Sequence, residues 1–360
     1  MMSRKGRSPN TSCRKSERRY IGGAPPAGWA TIMAAKKKKS TTPAVRYLRY
    51  ELTNGDAGVE TSHFIDLAKD LSAINRRMYR QGRRYHVKRI TVVSSNTIAG
   101  VGWDFGGAPP TDFYQQNAGF VSFSTVPESW ITQQAWQRGF KLWSMMQKKA
   151  LQAAGSDLRG TYNDFKVYMT TDHAGGTKLV PLDNGANALS GGDWSYSDFI
   201  TPDGTTSSDE FYATMLGDHS PAGIGAPKTS VSLVRSYAES RATVSANPSP
   251  ETFNVQSDDP LINLFDDGTQ VDEIIDKMLT DGEDPPYDIN DYPGGDTNHP
   301  KPLVVQHTTL GADGKATVGG FSAMCGLIEV EAKSPIDGDV YSVLVELAPG
   351  SYRGVAADVI

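Results

Sequence analysis

Charged and apolar residues alternate through Arg46-Tyr47-Leu48-Arg49-Tyr50-Glu51-Leu52, the period-two signature of a half-buried strand. Runs rich in Val, Ile, Leu and Thr predict further strands at 85–95, 119–126, 165–170, 230–238, 242–246, 302–310, 327–332 and 339–347. A different period governs the stretch after Ser62, where Phe64, Leu67, Leu71, Ile74 and Met78 recur at helical spacing. Asp66 lies early in it, Arg76, Arg77 and Arg80 lie late, and Gly82 follows. Acid at the start, base at the end and a closing glycine predict a helix capped by Ser62. Thr125-Val126-Pro127-Glu128 has the form of a capping box opening a second helix. That helix is expected to run to about Ala153 and carries Trp130, Trp136, Phe140, Trp143 and Met146. Aromatic stripes at this spacing are usually core or subunit-contact surface, so the stripe reads as packing.

Between these elements the chain turns polar, and two long surface loops are expected at about 171–227 and 247–300, the second holding a short helix at Val271–Leu279. No fixed-period repeat and no alternation of strand and helix demands a doubly wound sheet. The expected fold is mainly β, an antiparallel jelly-roll-like sandwich with inserted α-helices and long loops, occupying residues 44–360. Composition agrees: 36 Gly and 21 Pro supply turns, and 15 Tyr, 12 Phe and 6 Trp supply large core side chains. Two cysteines, Cys13 and Cys325, exclude a disulfide framework. No apolar run reaches the 18 residues of a membrane-spanning helix.

Charge is distributed unevenly. Across residues 1–50, Arg4, Lys5, Arg7, Arg14, Lys15, Arg18, Arg19, Lys36, Lys37, Lys38, Lys39, Arg46 and Arg49 face Glu17 alone, a net charge of +12 in a chain whose total is -5. Residues 1–43 lack hydrophobic periodicity and read as a disordered basic arm. The apolar core of a secretory signal and the amphipathic stripe of an organelle presequence are both missing from it. Met33 is an alternative start that would leave a shorter but still basic arm. Such a run serves as a solubilising tail, a nuclear localisation signal or a polyanion contact, and two clusters ahead of an acidic body favour the last. Residues 251–300, by contrast, hold 14 acids and one base, Lys277.

A second basic patch, Arg76, Arg77, Arg80, Arg83 and Arg84, lies among Lys69, Lys88, Arg89, Tyr79, Tyr85 and His86. Guanidinium groups beside aromatic rings suit phosphate contact and base stacking. Equally, such residues balance a helix dipole and pair with acids elsewhere in the chain. Catalytic patterns are missing. The six histidines have no zinc-ligand spacing, no Gly-x-Ser-x-Gly elbow occurs, and Gly311-Ala312-Asp313-Gly314-Lys315 reads as a turn. The acidic stretches do not match a calcium-binding helix-loop-helix, so Asp281–Asp296 reads as a solvated loop with a nonspecific calcium site as the minor alternative.

The Lys/Arg-rich arm, the segment Asn75-Arg76-Arg77-Met78-Tyr79-Arg80-Gln81-Gly82 and the C-terminal Ala348-Pro349-Gly350-Ser351-Tyr352-Arg353-Gly354 together resemble capsid proteins of small single-stranded DNA viruses with circular genomes, known from environmental sequencing. The resemblance implies a jelly-roll subunit that self-assembles into an icosahedral shell, its arm facing the packaged genome. It also implies a protein of the virion, present in the host nucleus or cytoplasm during assembly, that is not an enzyme and uses no cofactor or metal. Two other readings stay open: a β-sandwich enzyme acting on carbohydrate or nucleic acid, and a monomeric nucleic-acid-binding protein.

Overall fold

The structure is a computed structural model that describes residues 43–94, 98–99, 114–115, 119–154, 164–189, 192–201, 209–220, 228–242, 302–311 and 314–360. The chain divides into two units, Met1–Ser40 and Thr41–Ile360. The expected arm and the expected loop at 247–300, with its helix at Val271–Leu279, lie outside the described residues.

Eight strands form the frame of the second unit: β1 (Tyr47–Thr53), β2 (Glu60–Asp66), β3 (Arg83–Ser94), β4 (Phe120–Thr125), β5 (Leu303–Thr309), β6 in two halves (Lys315–Val318 and Phe321–Met324), β7 (Leu327–Lys333) and β8 (Val340–Leu347), with the short strands Thr177–Lys178 and Ala357–Val359 added at β2 and β3. The eight pair antiparallel in two sheets, ordered β1-β8-β3-β6 and β2-β7-β4-β5. Consecutive strands therefore change sheet at every step except β4 to β5. That wrapping is the double Greek key of a jelly roll, and the expected fold class holds.

Period-two patterning does the packing. β1 turns Leu48, Tyr50 and Leu52 inward, and β8 turns Tyr341, Val343, Val345 and Leu347 inward. From the facing sheet come Ile65, Val121, Phe123, Ile328, Val330 and Ala332. Along β3 the inward residues are Tyr85, Val87, Ile90 and Val92. The odd step from 87 to 90 coincides with a register shift opposite Glu346 and Leu347, as a bulge requires. β6 breaks at Gly319 and Gly320, where a Cβ on Gly320 would lie 2.6 Å from the Val87 carbonyl oxygen and 2.7 Å from that of Lys88.

The first helix differs from its expected form. Residues 60–66 form β2, and α1 covers only Leu67–Asn75. Asp66, not Ser62, caps it: its Oδ1 accepts from the backbone N–H groups of Ala68 and Lys69 at 3.0 and 3.1 Å. Phe64 and Ile65 explain the misreading, because they face two different cores on opposite sides of β2. The spacing of Phe64 to Leu67 matched a helical turn across a strand–helix junction. The helix ends early at Arg76, which adopts the left-handed conformation with φ 49°.

An insertion fills the β4–β5 connection. It contains α2 (Trp130–Ala154), α3 (Thr171–Gly175), a small sheet of Asp198–Thr201, Asp209–Thr214 and Ser230–Ser232, and α4 (Leu233–Ala242). Stretch 171–227, expected as loop, therefore carries a helix and strands. Residues 230–238 switch from strand to helix after Ser232, Ala242 belongs to that helix, and the rest of the strand expected at 242–246 lies outside the described residues. Phe165–Thr170 is extended but only bridges to the small sheet at Tyr168 and Thr214. α2 is capped by Ser129 rather than Thr125: Ser129 Oγ accepts from Thr132 N–H at 3.1 Å, and Ser129 N–H donates to Thr132 Oγ1 at 3.1 Å. Thr125 stays in β4, donating its hydroxyl to the Leu327 carbonyl. Trp136 and Trp143 are buried in a second core with Phe165, Val167, Met169 and Leu233. Phe140 is 37% exposed, less buried than the expected stripe.

Candidate nucleic-acid interface

The sequence places most candidate contacts in the arm, and Arg4, Lys5, Arg7, Arg14, Lys15, Arg18, Arg19, Lys36, Lys37, Lys38 and Lys39 lie outside the described residues. The described chain begins at Pro43, and its local geometry there is specific. Asn75, the last residue of α1, accepts from Val45 N–H at 2.7 Å and donates to the Val45 carbonyl at 3.0 Å. Arg77 donates to the Pro43 carbonyl at 3.3 Å. Pro43 and Val45 are thus clasped by Asn75 and Arg77, at the opening of the second basic patch.

That patch divides into two kinds of side chain. Arg76, Arg77 and Arg80 are exposed. Arg83 is half-buried, its guanidinium 3.7 Å above the Tyr352 ring and donating to the Ala357 carbonyl at 3.2 Å. Arg84 is half-buried and pairs with Glu128 at 3.7 Å. Lys88 and Arg89 grip Glu346 at 2.7 and 2.5 Å, and these donors hold its carboxyl below the usual carboxylate range. Arg49 pairs with Glu51 at 2.6 Å, and Arg46 is half-buried where its carbonyl accepts from Leu347 N–H. Both sequence readings therefore apply, to different residues: intramolecular pairing engages Arg49, Arg84, Lys88 and Arg89, whereas Arg76, Arg77 and Arg80 face solvent.

Arg353 joins the exposed group. It sits in the left-handed region with φ 50°, and its guanidinium donates to the Met78 carbonyl. Tyr79 closes the contact by donating its hydroxyl to the Arg353 carbonyl at 2.9 Å. The candidate set read from the sequence omits Arg353, because the pairing spans about 275 residues and leaves no local signal.

Beneath the patch, buried polar groups fix its backbone. Gln81 donates to Asp66 Oδ2 at 2.7 Å and accepts from Val167 N–H at 2.7 Å. Tyr196 donates to the same Asp66 oxygen at 3.2 Å, and Tyr50 donates to Asp70 at 2.6 Å. Burial pushes the carboxyls of Asp66 and Asp70 above their ordinary range, Asp70 further. His173, stacked on Phe64 with ring centroids 4.9 Å apart, is pushed down to about 3 by burial and then by Lys178 and Lys69. These groups tie the insertion to the sandwich and hold the turn from Arg80 to Arg84 in place. Among the described residues no cluster of three or more His, Cys, Asp or Glu side chains is placed to hold a metal ion.

No protein-family model matches the chain, and no curated protein or solved structure shows significant similarity to it. Among the described residues no helix is long and apolar enough to cross a membrane.

The division of the patch has a measurable consequence. Each phosphate contact to single-stranded nucleic acid contributes about 0.7 to the slope of log affinity against log salt. Replacing Arg76 and Arg80 by alanine is therefore expected to flatten that slope by roughly 1.4 without lowering the melting temperature. Arg84→Ala is expected to do the reverse, lowering the melting temperature and leaving the slope unchanged. Filter-binding titrations at several salt concentrations, paired with melting curves, check both.

Proposed function

We propose that this protein is a viral capsid subunit, self-assembling into a closed icosahedral shell and packaging a single-stranded nucleic-acid genome through its basic N-terminal arm. The carrying observation is the strand order β1-β8-β3-β6 over β2-β7-β4-β5, an architecture used by capsid subunits, in a chain whose first fifty residues carry a net charge of +12. A jelly roll leaves the sheet surface not covered by the insertion, and the loops at its ends, for contacts between copies. The arm, rich in Lys and Arg, suits sequence-independent neutralisation of phosphate. Fold alone does not fix function, since jelly rolls also serve as lectins and enzymes; the charge asymmetry favours the shell.

Sedimentation and negative-stain microscopy of the purified full-length chain test the reading. Closed particles of uniform diameter are expected at low salt with single-stranded nucleic acid present. A chain that stays monomeric under those conditions overturns the shell.

A further inference from the structure

Two stripes run along α2, and only one of them is buried. Trp136 and Trp143 belong to the buried stripe and pack in the second core. On the outward side Leu142 and Met145 are 58% and 48% exposed. At 100° per residue the exposed Arg138 and Lys149 close the two ends of this outward stripe, and the exposed Lys141 and Lys148 run along one side of it. No Asp or Glu occurs anywhere in α2. The outward stripe is apolar in the middle and basic at its margins.

At Leu142 the stripe opens into an apolar groove of about 350 Å³ between α2, α4 and the small sheet, lined by Ala135, Leu142, Phe199, Phe211, Leu233 and Tyr237. Gly139 sets how closely the two helices approach, since a Cβ there would lie 2.9 Å from Leu233 Cδ2. Arg138 also lines the groove, its guanidinium 4.6 Å from the centre of the Tyr237 ring. Exposed apolar surface rimmed by polar groups marks an interaction site. The bases around this one select an acidic amphipathic occupant, because complementary charge at the rim fixes register and excludes wrong partners.

We propose that residues 271–279 of the same chain dock in this groove as an amphipathic helix. Val271, Ile274, Ile275, Met278 and Leu279 recur at the spacing of one helical face, the pattern by which a helix seats itself in an apolar groove. Asp272 borders that face, Asp266 and Asp267 precede it, and Asp281, Glu283 and Asp284 follow it, so acids surround the apolar residues as bases surround the stripe on α2. Chain length permits the contact. α4, one wall of the groove, extends to Ala242, and the 28 residues between Ala242 and Val271 reach on the order of 90 Å when extended. An occupant tethered to the groove's own wall has a high effective concentration there, which favours it over the same segment of a second copy. Docking covers the exposed apolar stripe and neutralises the bases of α2, so that neither is offered to nucleic acid. The inference does not depend on the shell reading.

Disulfide trapping in the full-length chain tests this. Cys13→Ser leaves Cys325, which is buried, and Leu142→Cys with Ile275→Cys then places one thiol on the exposed stripe and one on the docking face. Oxidised glutathione serves as the oxidant, and Leu142→Cys with Asn290→Cys serves as the reference pair. Because a disulfide needs its two Cα atoms within about 7 Å, the 142–275 pair is expected to close within one chain at least about fivefold faster than the reference pair. Adding Ile274→Asp, which breaks the apolar face, or Lys141→Glu with Lys148→Glu, which reverses the charge beside the stripe, is expected to bring its rate down to that of the reference. Equal rates for the two pairs overturn the proposal, as does a 142–275 rate that neither set of changes slows. Disulfides formed only between chains overturn it too and assign the groove to a second copy.

Discussion

Deleting Met1–Thr42 is expected to leave closed particles that carry little nucleic acid. The segment holds eleven of the thirteen basic residues of the first fifty and the single acid Glu17. With roughly eight phosphates neutralised at about 0.7 per contact, the affinity of the intact chain for a single strand falls on the order of a thousandfold between about 50 and 200 mM salt. Without the arm most of that dependence is expected to disappear, leaving the body's own exposed bases, Arg76, Arg77, Arg80 and Arg353 among them, to contribute. Assembly behaves differently. The two packed sheets bury Leu48, Tyr50, Val343 and Phe123 among residues of the body, so, on the proposed shell reading, contacts between bodies are expected to survive removal of the arm. The ratio of absorbance at 260 to 280 nm, read on particles separated by sedimentation, is expected to drop while particle diameter stays constant. Truncated particles that retain their full nucleic-acid content would assign packaging to another surface, and loss of particles altogether would make the arm part of the shell.

The sandwich was legible because its strands alternate. In β1 and β8 each inward residue is apolar and most outward ones are polar, so period and face can be read without knowing the partner strand. The insertion was not legible in the same way. Ser230, Val231 and Ser232 form a strand and Leu233 begins a helix, yet Val231 to Val234 has β character throughout; packing of Leu233, Val234 and Tyr237 against α2 and the small sheet overrode local propensity. The β2–α1 junction misled for a related reason, since a strand buried on both faces loses its alternation and its apolar run merges with the helix that follows. For the candidate interface, local sequence identified the cluster from Arg76 to Arg84 but not which members are spent on ion pairs. Glu128 and Glu346, which claim Arg84, Lys88 and Arg89, lie far away along the chain.

Asp66 is the side chain whose loss is expected to damage the body most. One carboxylate accepts from two backbone N–H groups at the start of α1, from Gln81 and from Tyr196, and so joins β2, α1, the turn below the basic patch and the insertion. Asp66→Ala removes the helix cap, worth about 1 kcal/mol, and orphans two buried side-chain donors at roughly 1 to 3 kcal/mol each. A total loss of about 3 to 7 kcal/mol is expected in urea unfolding, with hydrogen exchange accelerating first at Val167, whose N–H depends on Gln81. Asp70 behaves differently because its burden is charge. Burial raises its carboxyl well above the ordinary range, and neighbouring Asp66 adds to the rise while the Tyr50 hydroxyl opposes it. The folded state therefore holds the proton to higher pH than the unfolded chain does. Its contribution to stability is complete below the unfolded carboxylate pKa of about 3.9 and is lost as pH rises through the folded value. Asp70→Asn keeps an acceptor for Tyr50 and has no charge to bury. Its stability relative to the unmodified chain is expected to improve steadily from about pH 4 toward neutrality. Urea midpoints measured across that range decide the matter: a difference that does not change with pH would mean that the Asp70 carboxylate is solvated or paired in the folded protein, and the buried polar layer beneath the basic patch would have to be redrawn.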